Sequence, residues 1–379
     1  MLVGPGFRFL SGLSVYTCRL ANALAETHDV SVLLLDRLIP TWLYPGASRV
    51  GDDLTSLRYD DSVRIAAKLD WYWGTGISEL SRRLRDDPPE VIVLQWWTAA
   101  ALHSYLMVMR LARREGIPVL IEFHEVQDTG EAKVPFVASY CRRYLRALVR
   151  GAAGAICHTQ HDRAALSITL GSELFDRTPM RIAPHGPYDH LSAVAEPSTS
   201  SAAADPVRVL FFGLIRPYKG GEDLIYALDR MSPQQAGKVQ VDFVGETWED
   251  WTVPVEAISA SPYRDRIHLD NRYVSDNDAA RYFASADVLV LPYRRASSSG
   301  PLHIAMSHGI HVVMYAVDGL VEAVHDYDGA ILVKPNDVDG LRDAILSVVD
   351  RRTERFANPH SWQPLVHAID SLAPSTQLR

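Results

Sequence analysis

Two periodicities alternate along this chain. Short apolar runs rich in β-branched residues recur at 30–35, 91–94, 119–122, 155–158 and 181–183, separated by stretches such as 105–115 and 137–150 whose apolar positions repeat every three or four residues. The alternation resumes at 207–212, 239–244, 267–269, 288–291, 311–315 and 330–333. Continuous apolar runs predict strands covered on both faces, the stretches between them predict crossover helices, and together they predict parallel sheets. Residues 191–206, LSAVAEPSTSSAAADP, have no hydrophobic period and are rich in Ala, Ser and Pro, which predicts an exposed linker. The pattern therefore predicts an α/β protein of two similarly built domains, 1–190 and 207–354, facing each other across a deep cleft.

The length of 379 residues suits two domains of roughly 150 residues each, and 47% hydrophobic residues can fill two cores. The net charge of −8, with no dominant Lys/Arg tract, argues against a nucleic-acid binder. Cys18, Cys141 and Cys157 are odd in number and widely spaced, with neither a CxxC pair nor a zinc-ligand pattern, which predicts reduced thiols and a cytoplasmic setting. The opening MLVGPGFRFLSG lacks the apolar core of a signal peptide, and no apolar run reaches the ~18 residues of a membrane span. A soluble protein is expected, at most peripheral to the inner face of a membrane.

Residues 207–231, VRVLFFGLIRPYKGGEDLIYALDRM, carry the strongest candidate chemistry. An apolar strand ends at Gly213, a helix opens at Gly220-Gly221, and Arg216 and Lys219 stand between them. In open α/β sheets ligands collect at the carboxyl ends of strands, where helix N-termini favour phosphate. The pair reads either as a phosphate clamp or as two solvated surface cations. A weaker phosphate-type signal opens the chain: Gly4-Pro5-Gly6 and Ser11-Gly12 precede a helix, and Gly12 would let a ligand approach the backbone closely. Asp60-Asp61, Asp86-Asp87 and Asp276/Asp278 read as solvated turn and cap carboxylates, so no metal triad is expected.

Other features remain two-sided. Trp71, Trp73, Trp96 and Trp97 read as core packing or as stacking platforms for sugar rings or lipid chains, while Gln95 and Thr98, at the end of the 91–94 strand, are placed to line a cleft. Residues 130–137 read as a mobile loop over an acceptor. Arg142, Arg143, Arg146 and Arg150 recur on one helix, as a solvated face or a patch for a lipid-linked acceptor.

The order and spacing of several blocks resemble the retaining nucleotide-sugar glycosyltransferases of family 4, over nearly the whole chain. The blocks are Ser11-Gly12, His124 in IEFHEV, PHG at 184–186, LIRPYKGG at 214–221, ARYFASADVLVLPY at 280–293, SSGPLHIAMSHGIHVV at 298–313 and DGLVEAV at 318–324. The resemblance implies the GT-B architecture of two facing Rossmann-like doubly wound domains. It also implies that a final helix at about 355–379, including FANPHSWQPLVHAID, crosses back onto the first domain. The implied activity is metal-independent transfer of a sugar, with retention, from a nucleotide diphosphate sugar, UDP- or GDP-linked, to a carbohydrate, small-molecule or lipid-linked hydroxyl acceptor. No further cofactor is required.

Such chemistry leaves negative charge on the departing β-phosphate, so it needs preorganised positive charge and N–H donors there. Arg216 suits bidentate contact, Lys219 a point charge, and Gly12 a backbone N–H. In the family the histidine matching His124 sits beside the donor sugar. Glu122 either pairs structurally or meets acceptor hydroxyls, and His185 and Gly186 close the first domain. Base contacts are expected from the backbone at Arg272-Tyr273-Val274, and sugar or phosphate contacts from Ser299 and Gly300.

The chain departs from the family where two glutamates eight positions apart are usual: Ala296 and Ile304 stand there. Glu322 is either a replacement carboxylate or a helix-start residue matched to the macrodipole. Two alternatives to the transferase therefore stay open: a nucleotide-sugar epimerase of the same architecture and a catalytically degenerate sugar-nucleotide binder.

Overall fold

Continuous apolar runs become the inner strands of two all-parallel sheets in the computed structural model, which describes residues 1–9, 12–38, 55–125, 135–192 and 205–373. The chain forms two compact units. Unit 1 holds residues 1–53, 57–186 and 361–379; unit 2 holds 54–56 and 187–360. Positions 193–204 of the expected linker 191–206, Ser11 of the first loop, and positions 130–134 of the expected acceptor loop lie outside the described residues.

The seven strands of unit 1 are β1 (Leu2–Pro5), β2 (Ser31–Arg37), β3 (Arg64–Asp70), β4 (Ile92–Trp96), β5 (Val119–Phe123), β6 (Gly154–Cys157) and β7 (Met180–Ile182). They run in the order β3-β2-β1-β4-β5-β6-β7. β4 and β5 are buried at every position, as strands covered by helices on both faces should be. β3 and β1 are absent from the sequence expectation. β3 is an edge strand that exposes Arg64, Ile65 and Lys68, and its charged, mixed pattern is not that of a covered strand. β1 is four residues long and ends in Gly4-Pro5, which read as a turn.

The helices of unit 1 are α1 (Gly12–Ala25), α2 (Gly76–Asp86), α3 (Leu102–Arg114), α4 (Pro135–Gly151), α5 (Gln160–Leu170) and α6 (Ser172–Arg177). Tyr105 and Val108 of α3 and Leu148 of α4 enter one core with Ile92, Leu94 and Ile121 of the sheet.

Unit 2 pairs six strands, β8 (Val207–Phe212), β9 (Val239–Val244), β10 (Ile267–Asp270), β11 (Val288–Leu291), β12 (His311–Tyr315) and β13 (Ala330–Val333), in the order β10-β9-β8-β11-β12-β13. Its helices are α7 (Gly221–Asp229), α8 (Pro233–Ala236), α9 (Val253–Ala260), α10 (Asp276–Ser285), α11 (Gly300–His308), α12 (Asp318–Ala323) and α13 (Val338–Ser347). Phe211 and Phe243 stack across β8 and β9, with centroids 4.3 Å apart.

The chain then returns to unit 1. A last helix, α14 (Gln363–Leu372), packs on α1, β6 and β7 with Leu365, Val366, Ile369 and Leu372 buried. Both sheets reverse strand order once, between β1 and β4 and between β8 and β11. These switch points mark the strand ends where open α/β sheets bind ligands. Among the described residues no helix is long and apolar enough to cross a membrane.

Candidate functional site

At the unit 2 switch point the loops after β8 and β11 knit together. The Arg294 N–H donates to the Tyr218 carbonyl at 2.8 Å and its guanidinium to the Pro217 carbonyl at 2.8 Å. The same guanidinium pairs with Glu222 at 2.8 Å and Asp223 at 3.3 Å in the first turn of α7, and the Tyr315 hydroxyl donates to Asp223 at 3.0 Å. Burial pushes the Asp223 carboxyl up from its ordinary range, and the Arg294 charge opposes that push. The acidic groups nearest the loop therefore have partners of their own.

Lys219 does not. It ends a short 3-10 turn, Pro217–Lys219, and is only 9% exposed. Its ammonium lies 5.2 Å from the centre of the Tyr293 ring, a cation–π distance, and pairs with no carboxylate among the described residues. Desolvation lowers its pKa, Tyr218 opposes that shift and the Arg216 charge reinforces it. Room for the ammonium comes from Gly213, which closes β8 at φ 113°: a Cβ there would stand 2.9 Å from Nζ, in backbone that side chains avoid.

Arg216 sits three residues before Lys219. Its Nε donates to Glu249 at 2.8 Å, and its guanidinium lies 5.4 Å over the Tyr218 ring and 5.9 Å from that of Trp248. The buried Ser299 caps α11 by accepting from the Leu302 N–H at 3.4 Å, and Gly300 has no atom within 4 Å of the place a Cβ would take, so the helix start is open there. Arg216, Lys219, Ser299 and Gly300 thus stand on loops leaving two adjacent strands.

The other expected contacts are more scattered. Arg272-Tyr273-Val274 follows β10, two strands from β8; Val274 is buried, and the Arg272 guanidinium pairs with Asp270 at 2.9 Å and Asp278 at 3.1 Å. Glu322 is exposed on α12, after β12, whereas Ile304 is buried in α11. Sequence reasoning did not single out Glu249 or Arg294, because their partners come from different loops.

Unit 1 gathers polar groups at the matching end of its own sheet. Gly12 opens α1 and is exposed. From α1, Thr17 donates to the Gln95 side chain of β4, and Tyr16 donates to Glu122 Oε1 at 2.5 Å. Period-two alternation puts Glu122 and His124 on one side of β5, and the Phe123–Cys157 register brings His124 opposite His158. His124 Nδ1 lies 3.3 Å from His158 Nε2, and Glu122 Oε1 lies 3.7 Å from Nε2 of each ring. The ring nitrogens of His124 therefore face His158 and Glu122.

Burial governs the charges of this cluster. It pushes Glu122 up to about 7, against the pull of the Tyr16 hydroxyl and the Gln95 side chain. It takes His158 down to about 4, opposed by the Ala183 carbonyl, and holds His124 well below its ordinary range with help from His158. Tyr16 packs against His124, His185 and Trp362, with ring centres 4.5, 4.4 and 5.0 Å away. Sequence reading foresaw no metal-type triad, yet Glu122, His124 and His158 bring one ligand atom each within 4.8 Å of one another. No motif spacing announces this, because the third member follows a different strand.

The aromatic pairs divide. Trp96 is buried in the core, and Trp73 stacks on His103, whereas Trp71 and Tyr72 are exposed. On α4, Arg142, Arg143, Arg146 and Arg150 line a groove of about 770 Å³ with Tyr144. Arg146 donates to the Thr169 carbonyl, and none of the four pairs with a carboxylate among the described residues.

Comparison with known proteins supplies an independent line. Residues 11–186 match the model of a glycosyl transferase 4-like domain, and residues 206–351 that of glycosyl transferases group 1. A GDP-mannose:glycolipid 4-beta-D-mannosyltransferase of Xanthomonas campestris pv. campestris is 36% identical over 124 residues, 32% of this chain and 33% of the relative. A D-inositol 3-phosphate glycosyltransferase of Geodermatophilus obscurus is 29% identical over 189 residues, 45% of this chain and 40% of the relative. The matched segments thus span about a third to two-fifths of these curated relatives. Among solved structures, sucrose-phosphate synthase from Thermosynechococcus elongatus aligns at a TM-score of 0.66 and 17% identity, over 98% of this chain and 94% of that one. Anabaena HepE in complex with UDP aligns at 0.63 and 15%, over 98% and 94%. These two likenesses show the GT-B fold.

Proposed function

The chain belongs to the glycosyl transferases, 4-like in its first half and group 1 in its second, and from that premise we propose that it transfers a sugar from a nucleotide diphosphate sugar to a hydroxyl acceptor. The observation that carries this reading is Lys219, a buried ammonium that pairs with no carboxylate among the described residues, set three residues from Arg216 where a sheet reverses strand order. Burying an unpaired charge is costly, and an anion arriving there offsets the cost. A diphosphate leaving group supplies that anion. Its developing charge is met by Lys219 as a point charge, by the Arg216 fork once Glu249 yields it, and by the open first turn of α11 at Ser299 and Gly300. No divalent ion is needed at the diphosphate in this scheme.

The finer assignments follow the family resemblance: retention at the anomeric carbon, His124 on the sugar side, the 272–274 segment at the base, and Gly12 and Glu322 as further donor contacts. UDP and GDP are the favoured bases, since UDP is bound in HepE and GDP-mannose names the donor of the Xanthomonas relative. The test is a screen of UDP- and GDP-sugars with nucleoside diphosphate release and NMR of the product, with and without added Mg²⁺. An α-linked product from an α-linked donor, formed equally well without Mg²⁺, supports the reading. A β-linked product would replace retention by inversion, and the relative named for a 4-β-D-mannosyl product makes that arm worth running.

A lipid-linked acceptor suits the arginine face of α4. Each basic side chain near an anionic leaflet contributes about 1 kcal/mol. Sedimentation with phosphatidylglycerol vesicles, but not with neutral ones, is expected, and an Arg142→Glu/Arg146→Glu double variant should bind at least tenfold more weakly. Equal binding to neutral vesicles would remove this surface from the proposal.

A further inference from the structure

We infer that Glu122, His124 and His158 of unit 1 form a binding site for one divalent transition-metal ion of the zinc type. One ligand atom from each of the three side chains converges there, all within 4.8 Å of one another. His158 Nδ1 is hydrogen-bonded at 3.0 Å to the Ala183 carbonyl, which can only accept, so Nδ1 holds the proton and Nε2 presents a lone pair. Glu122 Oε1 accepts the Tyr16 hydroxyl proton and presents a lone pair of its own. His124 between them is neutral and has a single N–H. If Nδ1 carries it, Nε2 faces the carboxylate lone pair at 3.7 Å; if Nε2 carries it, Nδ1 faces the His158 lone pair at 3.3 Å. With Glu122 ionised, one confrontation of lone pairs remains in either tautomer; a metal cation removes it, as would a proton on the Glu122 carboxyl, which burial pushes up to about 7.

An unpaired atom points the same way. His124 Nε2 is buried with no hydrogen-bond partner, on a side chain 8% exposed. Orphaned polar atoms at that depth are costly, and native structures rarely leave them without a reason.

The spacing suits a small metal. Ligands at 2.0–2.2 Å from a tetrahedral centre stand about 3.4 Å from one another; here His158 Nε2 lies 3.3 Å from His124 Nδ1 and 3.7 Å from Glu122 Oε1, and all three ligand atoms fall within 4.8 Å. Two imidazoles and one carboxylate favour zinc, cobalt or ferrous iron over magnesium or calcium, which prefer oxygen. The outer contacts are those a metal site uses: the Ala183 carbonyl fixes the His158 tautomer, and the Tyr16 hydroxyl fixes the carboxylate. A bound ion would clamp the ends of the adjacent strands β5 and β6. All three side chains belong to unit 1, and the inference does not depend on which sugar is transferred.

The test reads metal directly on the full chain, carried on a tag without histidine. The protein is stripped with a chelator, dialysed and titrated with Zn²⁺ by calorimetry and with Co²⁺ by visible absorption. Expected are one tight equivalent of Zn²⁺, the d–d bands of tetrahedral or five-coordinate Co²⁺, and a melting temperature raised by Zn²⁺. His158→Asn and Glu122→Gln should each weaken binding at least tenfold. Absence of a tight equivalent in the wild-type chain overturns the inference, and so does a stoichiometry unchanged in both variants, which would place the ion elsewhere. Glycosyl transfer is scored separately, so failure of that activity leaves this result standing.

Discussion

Lys219→Met is expected to lower kcat/KM for the nucleotide sugar by about 10²–10³-fold, the usual effect of removing one preorganised donor at a centre of developing charge, while leaving the ligand-free protein no less stable than the parent. The two halves of this result share a cause. Lys219 is buried with no carboxylate partner among the described residues, so its charge opposes folding until an anion arrives, whereas the methionine stem fills the same space without desolvating a charge. The sign of the pH dependence follows. Desolvation holds the folded pKa below the ordinary lysine value of 10.5. Between the folded and unfolded values the unfolded chain binds more protons, so stability of the ligand-free protein rises with pH across that window. Nucleotide binding moves oppositely: it needs the ammonium, and therefore weakens at a lower pH than an ordinary lysine would impose. Steady-state kinetics, thermal melts and nucleoside diphosphate titrations across alkaline pH check each arm. A variant that keeps its turnover, or that loses turnover together with stability, would show that Lys219 is structural.

Trp362→Ala should cost about 3–5 kcal/mol, the range for deleting a buried aromatic side chain, and should lower the melting of unit 1 by on the order of 10 °C. The indole is 8% exposed, lies 5.0 Å from Tyr16, and rests so closely on Gly186 that a Cβ there would stand 2.4 Å from its ring. Tyr16 in turn holds Glu122, so the loss of packing should spread to the polar cluster. Denaturant unfolding followed by near-ultraviolet circular dichroism measures it. A loss below 1 kcal/mol would mean that α14 is fastened by its aliphatic face alone.

Sequence reading succeeded where one local cause decided the outcome. β11 and β12 coincide with their apolar runs because strands covered on both faces need no polar side, and alternation is thereby suppressed. The loop with Arg216 and Lys219 was legible because strand, glycine and helix are contiguous. That Lys219 is unpaired was not legible: it depends on Arg294, seventy-five positions away, neutralising Glu222 and Asp223. β3 failed for the opposite reason to β8, since an edge strand carries Arg64 and Lys68 outward and resembles a loop. The lone His124 drew notice, but its neighbours Tyr16, Glu122 and His158 meet it only through sheet register and helix docking. Local pattern thus indicated where strand, loop and helix meet, and tertiary contacts decided which charges have partners among the described residues.

The return of residues 361–372 to unit 1 has a consequence for how the protein is made. Unit 2 lies almost wholly within one continuous stretch, 187–360, whereas the sheet of unit 1 is complete at β7 but lacks α14 and Trp362 until that stretch has been synthesised. Domains emerging from the ribosome fold as units, generally in order from the N-terminus. Here the first unit cannot finish in that order, because the docking surface of α14 stays uncovered until the chain beyond residue 360 has been made. During that interval the first unit offers an apolar face to chaperones, and stalled synthesis would be most damaging just before Trp362 emerges.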